Sequence, residues 1–530
     1  MKNNFKILAF LAFGFFFTSC LNDLDQAPND DRNTSELSFE QDAFGTYRGM
    51  IAKLYGSYAL TGQEGPAGAP DIVSSDEGFT SYTRVYWQLQ SLPTDEAIVA
   101  WNDPGIQTIN FNQWTSQNAA IFMMYYRIYF NIALANEFIR QSSEELINSR
   151  SMTEGERDEV RGFREEARFI RAFSYYHAID MFGNVGFVDE SVVPGLSFPV
   201  QMSRAELFGW LETELLDLED KLQAPRFSYG RADKGVLWMT LAKLYLNAQV
   251  YKGQAENVKA MEYINKVIQQ GGYSLATDYH HNFLADNDTS PELIFPVSID
   301  GARTRSFGAT NYIINAAMGG TMTFDLMGVN GAWAGNRTRR ELVQKFEDPT
   351  GNTDSRAFFW TDDQTLNIQN PLQFQQGYGV TKWRNITSAG MPGSNAADSF
   401  VDTDYVFYRL GDAYLMYAEA HLRGGGGSLA QATDYVNALR MRAYGNTSGN
   451  ITQGQLNLDF IIDERARELY WEGHRRQDLI RFGHYTGGTY NWQWKGGSLN
   501  GSSIPSYLSI YPIPAEDVQA NPNIVQNPGY

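Results

Sequence analysis

The chain has 530 residues and a net charge of −19, from 42 Lys and Arg against 61 Asp and Glu. Its 43% apolar and 19% charged content is globular usage and excludes a largely disordered chain, while the acidic balance argues against binding to nucleic-acid phosphates. With Cys20 as the one cysteine, an intrachain disulfide framework and a cysteine-based zinc site are excluded.

Lys2 and Lys6 precede an apolar run, Ile7 to Phe17, broken only by Gly14. The run is too short to span a bilayer and has the length of a signal-peptide core. Thr18 and Ser19 then lead into Cys20, which resembles the acylated cysteine of a bacterial lipobox; Phe17 departs from the usual aliphatic residue there. The expectation is a leader over residues 1–19, a lipid-bearing Cys20, and an acidic tether over 20–38 with Asp23, Asp25, Asp30 and Asp31. No later stretch approaches ~18 uninterrupted apolar residues.

The body, residues 39–530, is expected to be mainly helical. Residues 62–114 are rich in Gly, Asn, Thr and aromatics and read as a loop region. Residues 115–270 form the first part of a scaffold. Val160, Phe163, Ala167 and Ile170 make one helical stripe, with Arg161 and Glu165 spaced to pair on another face. Trp238, Leu241 and Tyr245, followed by Ala260 and Ile264, follow the tetratricopeptide spacing of aromatic and small residues. Phe169, Ala172 and Tyr176 form a weaker copy with a partner helix around Arg204–Leu222. Residues 271–404 read as a second loop-rich region with short strands such as Leu293–Val297. The scaffold resumes over 405–483, where Phe407, Leu410, Gly411 and Tyr414, then Ala432 and Val436, make another copy. Ile462, Ala466, Leu469, Gly473 and Ile480 predict a further helix laced by Asp463/Arg467 and Glu472/Arg476. Stacked helical hairpins follow from these repeats. Loops this long in a compact domain are the place to look for function.

Catalytic signatures are missing: there is no G-x-S-x-G, P-loop or H-E-x-x-H. The adjacent His280 and His281 point two ways in any regular element and read as loop or core residues. A glycosidase needs only two carboxylates across a cleft, so that reading stays open, as does a scaffold that binds only protein.

Three stretches resemble the SusD/RagB family of outer-membrane nutrient-binding lipoproteins. They are Arg164 to Tyr176 with Met181-Phe-Gly-Asn-Val185, Arg409 to Ala420, and Asp463 to Gly483; the tail Tyr511-Pro-Ile-Pro514 and Asn527-Pro-Gly-Tyr530 completes the likeness. The resemblance implies a right-handed superhelix of tetratricopeptide-like helix pairs bearing a loop-built ligand face. It further implies a protein that is not an enzyme, anchored at the cell surface on the outer membrane. There it would capture glycans as a lid over a SusC-like TonB-dependent transporter. No cofactor is implied, and a structural calcium is left unassigned. The charged residues of the third stretch read as a packing helix rather than a site.

A sugar ring offers an apolar face and a rim of hydroxyls, so its site wants exposed aromatic planes and polar side chains. The segments Asp76–Asp103 and Tyr312–Thr338 look like those of the starch-binding branch of the family. The likeness implies stacking by Trp101, Trp333 and Tyr312, and hydrogen bonding by Arg84 and Asn102. A starch-like α-glucan is the expected ligand, with a fructan as the alternative. Trp492 and Trp494 are further candidates, and Tyr511 is assigned to the packed tail.

Overall fold

Thr153 and Ser203 each open a helix with a reciprocal cap, their hydroxyls meeting the backbone of Glu156 and Glu206 while those carboxylates reach back. The computed structural model describes residues 36–66, 70–74, 76–192, 195 and 197–530. The leader, Cys20 and most of the tether lie outside the described residues. Among those described, no helix is long and apolar enough to cross a membrane.

The architecture is mainly helical. The helix Glu154–Met181 lies between Ala119–Gln141 and Arg204–Leu218. Next, Lys234–Leu246 packs on Asn257–Gln270, which packs in turn on Leu410–Leu422. That helix also meets Leu429–Tyr444 and Leu458–Leu469. The repeat residues sit in these contacts: Leu241, Ala260 and Ile264 have no exposed surface, and Trp238 and Tyr245 are buried. Small residues let the helices approach, and the rings fill the space between them.

Three expectations need correction. Phe407 lies not in a helix but in the strand Tyr405–Arg409, antiparallel to Leu293–Val297; the helix starts at Leu410. The single helix expected through Gly473 is two, Leu458–Leu469 and Arg475–Arg481, because the chain turns over at Trp471 (φ 63°) and Gly473 (φ 78°). The turn has a physical reason. The carbonyl of Trp471 accepts the indole N–H of Trp87 at 3.0 Å and that of Trp383 at 3.1 Å, which a continuing helix would prevent. The spaced charge pairs also have other partners: Asp463 takes Lys345, Arg467 takes Glu464, Glu472 takes Lys382 and Arg409, and Arg161 takes Asp158.

The charged stretch does pack. Glu464 and Glu468 on the helix Leu458–Leu469 are fully buried and meet Arg356, Arg409, Arg440 and Arg442. Glu292 and Glu472 close the network on Arg409. Buried charges persist only when paired in this way.

Candidate functional site

Two helix starts set the floor of the site. Ser81 caps the helix Tyr82–Ser91, and its Oγ also accepts the N–H of Ala309 at 3.0 Å at the start of the helix Ala309–Ala317. Gly308 permits this approach, since a Cβ there would stand 2.0 Å from that of Ser81. Arg84 and Tyr312, each one turn into its helix, are thereby stacked, with the guanidinium carbon 4.6 Å from the ring centre.

A two-residue ladder builds the wall. Ile98–Val99 pairs antiparallel with Asn336–Arg337, and Ala100 N–H continues it to Gly335 O at 2.8 Å. This joins the first loop region to the second. Trp333 N–H donates to Asn315 O at 3.0 Å and Gly335 N–H to Ala316 O at 2.8 Å, which fastens the Trp333 segment to the end of the helix Ala309–Ala317. Trp101 Nε1–H then donates to Trp333 O at 3.0 Å. The two rings lie 6.4 Å apart with their planes 48° from each other, and both are half-buried. Phe307 stands 6.3 Å beyond Trp333, edge to face.

These residues enclose a cavity of about 420 Å³, lined by Trp101, Trp333, Phe79, Phe307, Arg84, Gln88 and Asp76 among others. Its walls are aromatic and its polar groups few, which suits a ligand with apolar faces and hydroxyl edges. Arg84 Nη1 donates to Phe307 O at 3.3 Å and lies 3.2 Å from Asp76 Oδ2. Glu77 fixes the Phe307 loop by accepting its N–H at 3.2 Å and the Ser306 hydroxyl at 3.2 Å. Burial raises the Glu77 carboxyl above its ordinary pKa.

Three of the five residues expected at the site, Trp101, Trp333 and Arg84, come together on this cavity, although Arg84 sits on a helix rather than a loop. Asn102 is exposed between Trp101 and Asp103, which line the cavity, but does not line it itself. Tyr312 is corrected. It has no exposed surface, lying under the cavity edge-on to Trp87 and Trp101. A ring without an open face cannot stack on a sugar. Trp492 is also wholly buried, and Trp494 is pinned by its N–H to Ile368 O at 3.0 Å; neither lines the cavity. Tyr511 is buried with its hydroxyl on Leu89 O, as the packed-tail reading requires.

Sequence reasoning missed Asp76, Phe79, Gln88 and Phe307. Gln88 was within reach, since a helix through Arg84 puts it on the same face at i+4. Phe307 carries no sequence signal. Among the described residues no group of three His, Cys, Asp or Glu side chains is placed to hold a metal ion. Ring nitrogens of His280 and His281 lie against the carbonyls of Lys382 and Asp286.

A mainly helical fold of this kind has known counterparts. The SusD family model matches residues 271–530. The chain is 34% identical to the starch-binding protein SusD of Bacteroides thetaiotaomicron, over 97% of this chain and 96% of the relative. A crystal structure of a SusD homolog from the same organism superposes with a TM-score of 0.73 at 19% identity, covering 94% of this chain and 99% of that one. Surface glycan-binding protein A of that organism, solved with laminarihexaose, gives 0.68 at 18% identity, covering 91% and 99%. The chain belongs to the SusD family.

Proposed function

We propose that this protein is a non-catalytic, cell-surface glycan-binding lipoprotein that captures a starch-like α-glucan for uptake. The observation that carries the reading is the pair Trp101 and Trp333, two half-open rings 6.4 Å apart and inclined by 48°. A curved glucan turns successive sugar faces and suits inclined planes, whereas a flat chain suits a coplanar row. The full-length likeness to a relative named as starch-binding supports the choice of α-glucan. A scaffold that binds only protein would have little use for such a cavity.

The remaining parts of the reading rest on sequence. Residues 1–19 are the leader, Cys20 carries the acyl chains, residues 20–38 are the tether and 39–530 the binding domain. Several acyl chains at ~0.8 kcal/mol per buried CH₂ would hold the body on the outer membrane. The partner beneath it is a SusC-like TonB-dependent transporter, tested by copurification after mild detergent extraction. Recovery of the lipoprotein alone, under conditions that preserve comparable complexes, would contradict that partner. For the ligand, isothermal titration against maltoheptaose, amylopectin, laminarihexaose and a fructan is the test. Binding of maltoheptaose and amylopectin supports the α-glucan reading, and heat from the fructan alone contradicts it.

A further inference from the structure

A second cavity, of about 260 Å³, opens where three segments meet. They are the end of the helix Ala43–Gly56, the loop before the helix Lys234–Leu246, and the chain leaving the strand Leu293–Val297. Tyr55, Tyr229, Arg231, Ser298 and Thr304 are among its lining residues. Gly230 (φ 73°) lets the second segment close on the third, since a Cβ there would stand 3.2 Å from Ser298 Oγ. Thr304 lines this cavity and Phe307 lines the Trp101 cavity. Three residues of chain hold their Cα atoms within about 11 Å of each other, so the two cavities are neighbours.

Each tyrosine ties down its polar tip and leaves its ring in the wall, as the Trp101 indole does in the first cavity. The Tyr229 hydroxyl donates to the buried Asp404, while the residue itself is 44% exposed. The Tyr55 hydroxyl donates to the buried Glu166 at 2.6 Å and accepts the N–H of Ala232 at 2.8 Å. Two accessible polar groups remain. Ser298 is exposed, and its hydroxyl makes no hydrogen bond among the described residues. Arg231 spends Nε and Nη2 on Glu166, which leaves Nη1 without a hydrogen-bond partner on a side chain 30% exposed. Among the described lining residues Arg231 alone is charged, and Glu166 neutralises it, so the cavity suits an uncharged ligand. Aromatic walls beside one donor and one hydroxyl match a ring with an apolar face and a rim of hydroxyls.

We propose that this cavity is a second sugar site, in which one uncharged pyranose ring stacks on Tyr229 and hydrogen-bonds to Ser298 Oγ and Arg231 Nη1. The inference rests on the glycan-binding reading and extends it: the protein grips a polysaccharide at two neighbouring points. Attachment at one point raises the effective concentration at the other, so a polymer gains affinity that a short oligosaccharide does not.

The test is isothermal titration of the parent, Tyr229→Ala and Ser298→Leu with maltotriose and with amylopectin, with melting curves to check the fold. Tyr229→Ala removes the ring but leaves Asp404 without its donor. Ser298→Leu fills the cavity and leaves Asp404 paired, so the two variants do not share a route to misfolding. Both should bind maltotriose like the parent, because the Trp101 cavity is untouched. Amylopectin should weaken by about 10-fold or more in each, part of the roughly 10²- to 10⁴-fold that a second attachment can add. In the parent, saturating amylopectin should slow hydrogen exchange over residues 228–231, none of which lines the Trp101 cavity. Parent-like amylopectin binding by both variants, with binding lost in Trp333→Ala, overturns the second site and leaves the first standing. Equal losses of maltotriose and amylopectin in both variants also overturn it, since the changes then act through the first cavity. If the parent binds no glucan, the second site and the glycan-binding reading fall together.

Discussion

Trp101 and Trp333 are tied by one hydrogen bond, from the indole N–H of the first to the backbone carbonyl of the second at 3.0 Å. The bond uses the edge of one ring and the main chain of the other, so it fixes their relative tilt without occupying a stacking face. The platform is thus set before any ligand arrives, which spares the ordering cost that a mobile pair would incur on binding.

Gly335 makes the arrangement possible. A Cβ at this position would stand 2.5 Å from Trp101 Cε2. Gly335→Ala should push the Trp101 ring aside, costing about 1–3 kcal/mol of stability as overpacking does. Affinity for maltoheptaose should fall while Trp333 remains in place. A parent-like affinity would show that the Trp101 ring position is unimportant.

Glu468 tests the buried charge network. It accepts from Arg356 at 2.9 Å, Arg409 at 2.8 Å and Arg442 at 2.5 Å. Glu468→Gln leaves these cations short of one negative charge and should destabilise the fold by about 3–5 kcal/mol, read from denaturant unfolding. Burial alone would raise this carboxyl, but Arg442, Arg409 and Arg356 outweigh it and hold its pKa at about 2, below the ordinary 4.5. The folded state therefore binds fewer protons than the unfolded one between these values. The stabilisation from Glu468 is complete above about pH 4.5 and lost as pH falls towards 2. The variant's deficit should shrink across that window, and a deficit independent of pH would assign the loss to packing instead.

The helical hairpins could be read from the sequence because each rests on local spacing: Trp238, Leu241 and Tyr245 share one helix face, and the charged stretch around Glu464 and Glu468 declares a packing element. The strand Leu293–Val297 was legible from its own apolar run. The site was legible only in part. Trp101 and Trp333 stood out by residue type, but the ladder that joins their loops pairs Ile98–Val99 with Asn336–Arg337, two dipeptides far apart in the chain with no pattern of their own. Tyr312 was misplaced because the helix Ala309–Ala317 is buried on every side, its polar face with Asn311 and Asn315 included, so its pattern gives no sign that the tyrosine ring is covered. The break at Trp471 was invisible because its cause is tertiary, two indoles from distant segments donating to one carbonyl.

The anchor has a simple test. Cys20→Ala should move the protein from the membrane fraction to the soluble fraction without altering its melting curve. Retention in the membrane would contradict anchoring through Cys20.

The most direct measurement of the central claim is the calorimetric affinity for maltoheptaose of the parent, Trp101→Ala, Trp333→Ala and the double variant. Loss of one stacking ring should weaken binding by about 5- to 150-fold, corresponding to ~1–3 kcal/mol by analogy with base–aromatic stacking. The double variant should bind barely at all, with all four proteins folded. Both single variants binding like the parent would contradict the account.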